Sequence, residues 1–404
     1  MARRTSPVPV LTSAVVTAAV SLWILIAEEG RRPPAGRPPA AASPVPFVDF
    51  HNDVAHDEDL LSRSTAAALR WMERHQDADG SWSASSYTQE CVEKVCPGRG
   101  GEGHDVGITA LAALSIIESG QAKKYEDSVR RALAWLAARQ DELGGFGPRM
   151  AKSAYGHAIA TLAFARAVAV LDDPSLRPPA VRGARALEMS RNPGFAWRYG
   201  ARDGQNDSSV TAWSGAALLA AASPEVRIPV DPVAFDGIRR WLSEVTNDRG
   251  EVSYMRRGAA SSSVRGLNDR FERNEGLTAA ALCLRLEMGE DRRHPELATA
   301  AKRLMWNLPV WTEDGASVDY MAWFSGTRAL AAWNDRELWS VWSARVLKVV
   351  ALHQRRFNEG CLWGSWDPVD KWGFVGGRVY STSMNLLTLG VLGRMRMPDQ
   401  PKGR

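Results

Sequence analysis

Charge of one sign, cysteine and strand-like patterning are all scarce in this chain of 404 residues. The 50 Lys and Arg stand against 46 Asp and Glu, a formal net charge of +4, so nothing implies a nucleic-acid partner. Alternation of β-branched and polar residues hardly occurs, which argues against a sheet-based core. Cysteine appears four times, and only Cys91 and Cys96 are near one another in sequence. Tyr (7) and Phe (10) are outnumbered by 16 Trp, nine of them after residue 300, so aromatic surface is concentrated in the last third. At 45% hydrophobic the chain still has material for a large core.

What the sequence does have is a repeat. Trp71 and Met72 close an apolar helical face, Gln76 follows, and Gly80 lets the chain turn into Trp82. The Gln amide both donates and accepts, so it suits the open backbone groups of a helix end. Trp135, Gln140, Gly144 and Phe146 repeat the pattern. Trp241 with Thr246 and Gly250, Leu187 with Arg191 and Trp197, and Gln354 with Gly360 and Trp363 are weaker copies. Such a period, roughly 50 residues, marks an array of one supersecondary unit.

Residues 8–27 carry no charge and are long enough to cross a bilayer as a helix. Arg3 and Arg4 precede them; Glu28, Glu29, Arg31, Arg32 and Arg37 follow, so positive charges alone do not set the orientation. An uncleaved membrane anchor is expected, with a cleaved signal peptide as the alternative; either places the body outside the cytoplasm. The expected domains are a basic segment 1–7, the anchor or signal 8–27, a Pro/Ala/Arg-rich linker 28–57, a helical body 58–396 and a tail 397–404. His51, Asp53, His56 and Asp57 resemble metal ligands, but they end a linker where polar and helix-capping residues are expected, so no metal is assigned.

From residue 60 the chain reads as outer helix, turn and inner helix, six times over. The outer segments are 65–75, 125–139, 179–189, 231–244, 295–307 and 335–354; the inner ones are 105–118, 155–170, 207–222, 274–288, 319–334 and 380–394. Inner segments are apolar or small nearly all round, as helices covered on every side should be. The Gln-x3-Gly-x-Trp spacing and the six two-helix units resemble the prenyltransferase and squalene-cyclase repeat family of terpenoid cyclases and protein prenyltransferases. That resemblance spans residues 60–396 and implies an all-α (α/α)6 toroid, six inner helices around a central cavity and six outer helices around those. It also implies a hydrophobic small molecule or isoprenoid-like lipid as partner.

Inner helices that all run one way gather their N-termini, each with unpaired N–H groups and a partial positive charge, at one mouth. The residues opening them are Asp105, Tyr155 with His157, Asp207, Asn274 with Glu275, Asp319 with Tyr320 and Trp323, and Tyr380. Asp105, His157, Asp207 and Glu275 are the candidate acid–base groups, since burial can raise a carboxyl pKa into a useful range. Asp and Asn are equally preferred helix N-caps. Tyr155, Asn274, Tyr320, Trp323 and Tyr380 are candidate ligand-binding residues. Arg256, Arg257 and Arg273, in a loop that also carries Arg265 and Arg270, suit an anionic head group at the mouth.

The catalytic motifs of the resembling families are missing. Cyclases donate a proton from Asp-x-Asp-Asp; the nearest stretch here is Gly204, Gln205, Asn206 and Asp207, which puts an amide at the donor's place. The Asp, Cys and His that hold zinc in prenyltransferases are absent: Cys283 lies in an inner helix and Cys361 in a late loop, neither with a neighbouring His. Cys91 and Cys96, with four residues between them and His104 following, read as a disulfide in a Gly-rich loop rather than a zinc site, because no fourth zinc ligand is near. No cofactor is expected. The sequence leaves open a lipid-binding cyclase or transferase, a non-catalytic binding or scaffold toroid, and a carbohydrate-active toroid.

Overall fold

A computed structural model describes residues 54–91, 95–147, 153–258, 275–312, 315 and 317–395. The anchor or signal segment, the linker up to residue 53, the tail, Asn274 and the arginines at 265, 270 and 273 lie outside these residues. Among the described residues no helix is long and apolar enough to cross a membrane.

The described body is all helical, with twelve α-helices and no named strand. The odd-numbered helices are α1 (Val54–Arg74), α3 (Glu126–Ala137), α5 (Arg177–Ser190), α7 (Pro232–Val245), α9 (Pro295–Trp306) and α11 (Arg336–Leu352). The even-numbered ones are α2 (Asp105–Ile116), α4 (Ser153–Val170), α6 (Ser208–Ala222), α8 (Glu275–Glu287), α10 (Tyr320–Trp333) and α12 (Gly373–Arg394). Ten of these agree with the sequence reading to within about two residues at each end. The first outer helix begins at Val54 rather than 65, so it takes in the last residues of the expected linker. The last inner helix begins at Gly373 rather than 380, with a break in helical geometry at Gly377 (φ +63°).

Each even helix packs on the next, α2 on α4, α4 on α6, and so on to α12, which returns to α2. Each odd helix lies against the even helix of its own pair or of the pair before it, α1 meeting α12, and α11 touches α1. The even helices therefore form a closed inner ring and the odd helices an outer layer. The expected division of labour holds: the ring helices are rich in Ala, Leu and Gly and buried along their length. The N-terminal ends of α2 and α4 approach at glycines, a Cβ on Gly107 falling 3.3 Å from the Cα of Gly156. Inside the ring the indole of Trp213 stacks on Phe324 with centroids 6.3 Å apart.

The repeat motif is what closes the ring. Gln76 Nε2 donates to Gly80 O (2.8 Å) in its own turn and to Ser128 O (2.9 Å) in the next outer helix. Gln140 Nε2 does the same with Gly144 O and Pro179 O, both at 3.0 Å. Gln354 Nε2 donates to Gly364 O and, back in the first outer helix, to Ser64 O, both at 2.9 Å. Buried indoles brace each turn from behind: Trp82 Nε1 donates to Met72 O (2.9 Å), Trp197 to Leu187 O (2.7 Å) and Trp366 to Val350 O (2.7 Å). The last copy is thus completed by Gly364 and Trp366, not by Gly360 and Trp363. Its Gln-to-Gly step spans ten positions where the first spans four. The extra residues form a short 3-10 segment, Phe357–Leu362, that contains Cys361.

Two of the motif turns show why glycine is needed. Gly80 (φ +94°) and Gly364 (φ +95°) adopt left-handed backbone, and a Cβ there would sit 2.7 Å from Arg131 O and 2.1 Å from Ala67 O. Each turn rests directly on the neighbouring outer helix, and Gly364 rests on the first.

Candidate functional site

Neighbouring inner helices bring their first residues together, so the N-terminal mouth is where chemistry can converge. Two groups of ionisable residues meet there. The first is built on Asp207, which caps α6: its Oδ1 accepts from Val210 N (2.7 Å) and Ser209 Oγ (3.0 Å). The carboxyl is completely buried. Its Oδ2 faces Tyr254 Oη at 3.5 Å and Arg198 Nε at 3.8 Å. Tyr254 and Tyr199 share a hydrogen bond of 2.7 Å, and Tyr155 Oη lies 2.5 Å from Ser209 Oγ. Burial pushes the Asp207 carboxyl up to about 6, against the opposing pull of its hydrogen bonds and Arg198.

The second group is denser in charge. Asp319 caps α10 through Ala322 N (2.9 Å) and pairs with Lys371 Nζ at 2.8 Å. Asp370 accepts from Tyr380 Oη at 3.0 Å and from Trp372 N at 3.2 Å. Burial, and then repulsion from Asp319, push Asp370 up to about 7 despite those two bonds and the Lys371 charge. Glu275, the first residue of α8, is also raised, chiefly by burial and further by Asp319. Burial works against the Lys371 ammonium, yet the attraction of Asp319, Asp370 and Glu275 outweighs it and holds it above the ordinary lysine value. Three carboxyls around one ammonium cannot all ionise cheaply, so the group retains a proton near neutral pH.

The other residues singled out in the sequence divide sharply. Asp105 opens α2, but its Oδ1 accepts from Ser83 Oγ (2.9 Å) and Ala84 N (3.3 Å), which braces the first mouth loop. His157 takes a place that threonine fills in other units: its Nδ1 accepts from Phe146 N (3.2 Å), as Thr109 Oγ1 does from Trp82 N (3.0 Å). Burial lowers its pKa to about 4, so it is a neutral structural acceptor. Tyr320 is buried, donating to Asp367 O (2.7 Å), and Trp323 is buried beside it with rings 5.6 Å apart. Tyr155 and Tyr380 do join the two groups. Arg256 is exposed, and Arg257 pairs with the exposed Asp248 at 2.5 Å. Asn274 and Arg273 lie outside the described residues. The sequence reading passed over Asp370, Lys371, Tyr199, Tyr254 and Arg198, which stand in mouth loops. Position in the loop just before an inner helix is the signal that could have found Asp370.

The expected disulfide is not formed. None of the four cysteines is bridged. Cys91 and Cys96 instead turn their sulfurs toward His75, where Cys361 meets them.

At the far end of the ring, three arginines face two glutamates. Arg166 and Arg394 pair with Glu118 at 3.0 and 2.7 Å, and Arg328 pairs with Glu287 at 2.5 Å. Cations there complement the C-terminal ends of the helices.

The architecture has clear parallels among solved structures. A type II terpene cyclase, MstE from Scytonema, solved as a variant in complex with its substrate geranylgeranyl dihydroxybenzoate, matches at TM-score 0.56 and 15% identity, over 85% of this chain and 99% of that one. The GH76A α-1,6-mannanase from Salegentibacter sp. HEL1_6 matches at TM-score 0.56 and 11% identity, over 85% of this chain and 100% of that one. An α-amylase from Clostridium perfringens matches at 0.53 and 11%, over 81% and 97%. The fold is an α/α toroid. At these identities the likeness concerns the toroid alone, which hosts more than one chemistry. No family model matches the chain. No curated protein matches it either.

Proposed function

We propose that this toroid is an acid catalyst acting at its inner-helix mouth on a largely apolar, isoprenoid-like substrate. The observation that carries this reading is the buried carboxyl group of Asp370, bonded to Tyr380 Oη and set beside the Asp319–Lys371 pair, where burial and Asp319 push it up to about 7. A proton passed from Asp370 to a carbon–carbon double bond leaves a carboxylate that Tyr380 O–H, Trp372 N–H and the Lys371 ammonium stabilise. The carbocation left on the substrate is favoured by the neighbouring carboxylates. Glu275 or Asp319 can then take a proton from the product cation. Asp207 is the second buried acid, but its cap on α6 gives it a structural task as well. The cyclase parallel supports an isoprenoid ligand, since MstE is described with a geranylgeranyl substrate.

A carbohydrate substrate is the second reading, favoured by the paired carboxyls and by the equal likeness to an α-1,6-mannanase. Tethering of the toroid by residues 8–27, outside the cytoplasm, is part of the same proposal and rests on the sequence.

The test is incubation of the full chain with linear isoprenoids of graded length in deuterated water. Proton-initiated cyclisation puts deuterium from solvent into the product, read by mass spectrometry. New reducing ends from α-1,6-mannan, with no labelled isoprenoid, would replace the first reading by the second. Lipid retained in native mass spectra without turnover of either would leave a binding toroid.

A further inference from the structure

The sulfurs of Cys91, Cys96 and Cys361 and the Nε2 of His75 all lie within 4.8 Å of one another. His75 Nε2 is 3.8 Å from Cys91 Sγ, 3.7 Å from Cys96 Sγ and 3.2 Å from Cys361 Sγ. A tetrahedral zinc with Zn–S near 2.3 Å and Zn–N near 2.0–2.1 Å separates its ligand atoms by about 3.6–3.8 Å. A disulfide would instead bring two of the sulfurs to about 2.05 Å.

Each ligand is also prepared for a metal. His75 Nδ1 stands 2.9 Å from Trp71 O, and a proton donated there leaves the Nε2 lone pair directed at the three sulfurs. The imidazole is clamped by stacking on Trp71 (4.2 Å) and by Tyr87 (6.0 Å), whose hydroxyl donates to Pro97 O at 3.0 Å. Cys96 N donates to Cys91 Sγ at 3.3 Å, which holds that sulfur in place beside the other ligand atoms. His75 and Cys96 are buried.

We infer that these four side chains form a structural zinc site that fastens the first repeat to the last. Three thiolates and an imidazole suit zinc by softness and by geometry. Because the protein supplies all four ligands, no position remains open for substrate, and the site is structural rather than catalytic. Its ligands come from the end of α1, the first mouth loop and the inserted 3-10 segment of the last motif. The same seam is held by Arg378, which donates to Pro97 O (2.9 Å) and Ser365 Oγ (2.9 Å) and pairs with Asp367 (2.5 Å). Arg378 N bonds Gly98 O and Gly101 N bonds Val375 O, both at 2.8 Å. The metal lies where the two ends of the repeat array meet, and it is independent of the acid catalysis proposed above.

The experiment is elemental analysis of the full chain produced with zinc in the medium and purified without chelator. About one equivalent of zinc per chain is expected, and cobalt(II) in its place should give tetrahedral d–d and thiolate-to-cobalt charge-transfer bands. Native-state alkylation should spare Cys91, Cys96 and Cys361 until a chelator is added. Cys361→Ser and His75→Gln should each lose most of the zinc and lower the melting temperature, while Cys283→Ser, whose sulfur bonds Glu287 in α8 (3.3 Å), should keep both. Should the ligand variants not fold, the wild-type zinc content, cobalt spectrum and alkylation pattern decide alone. A zinc-free chain lighter by two hydrogens, with a peptide linking Cys91 to Cys96, would overturn the inference. So would full zinc in Cys361→Ser.

Discussion

Cys361 Sγ lies 3.2 Å from His75 Nε2, joining residues 286 positions apart. The contact exists because the last motif is stretched: the insertion between Gln354 and Gly364 lifts Cys361 onto the end of the first outer helix. The bond from Gln354 to Ser64 O runs across the same seam, so ring closure has a polar and a thiol component side by side. In an array of this kind each unit is stabilised by its neighbours, and the seam decides whether the end units have two neighbours or one.

Removing the polar component should be measurable. Gln354→Ala takes the hydrogen bonds from Ser64 O and Gly364 O, and Gln76→Ala takes those from Ser128 O and Gly80 O. Each is expected to cost about 1–3 kcal/mol in urea unfolding, the range for leaving buried polar groups unsatisfied. Gln354→Ala should in addition expose the first helix to limited proteolysis. Equal protection of α1 in both variants would argue that the seam is no weaker than any other junction.

Glycine offers a cleaner contrast. Gly364→Ala must accommodate a Cβ at 2.1 Å from Ala67 O at φ +95°, whereas Gly204 (φ +75°) has nothing within 4 Å. Gly204→Ala should therefore cost only the backbone penalty of about 1–2 kcal/mol, and Gly364→Ala clearly more, since the first helix must move. Comparable melting temperatures for the two variants would contradict direct packing of the last turn on α1.

The seam also shows where the sequence was readable. The period of Gln76 and Gln140 and the all-round apolar inner segments identified the helix pairs, because both signals are local. Cys91 and Cys96 suggested a disulfide because they are close in sequence, while the third sulfur, on Cys361, belongs to the far end of the chain. His75 sits inside the repeat motif, where it reads as a helix end. The repeat also disguised His157, whose register matches the threonines that accept a motif N–H. Asn206 stands at the cyclase donor's place by sequence resemblance alone, and its Oδ1 accepts from Asn192 Nδ2 (3.0 Å) and Ala196 N (3.1 Å), so it ties down a turn. Asp370 and Lys371 escaped notice because their loop has no repeat to align it, and only folding brings them to Asp319.

Stability should carry the signature of the raised carboxyls. Asp370 is pushed up to about 7 and Asp207 to about 6, so between the ordinary carboxyl value near 4 and these values the native state holds protons that the unfolded chain does not. Stability from these groups is therefore present at acid pH and is lost as the pH rises through 6 and 7. Asp370→Asn removes the ionisation, so its melting temperature relative to wild type should be higher at pH 8 than at pH 5. The opposite trend would mean that Asp370 is an ordinary ionised partner of Lys371.

The two buried acids can be separated by activity. Asp370→Asn keeps the size of the side chain and an acceptor for Tyr380 but has no proton to give, so turnover of an isoprenoid should fall by about 10²–10⁴-fold, the span attributed to a general acid. Wild-type turnover should itself decline above about pH 7, as Asp370 ionises. Asp207→Asn still caps α6, because Asn caps as well as Asp, whereas Asp207→Ala loses the bond to Val210 N and should cost about 0.5–2 kcal/mol. If Asp207 is only a cap, Asp207→Asn matches wild type in rate and, at pH 5 where the carboxyl is protonated, in melting temperature, and Asp207→Ala is merely less stable. If the rate falls in Asp207→Asn while Asp370→Asn retains it, the proton donor is Asp207 and the Asp319–Asp370–Lys371 group holds the mouth together. Steady-state rates measured with and without the pH shift distinguish these outcomes, since loss of a donor removes the decline in rate with rising pH and loss of a brace does not.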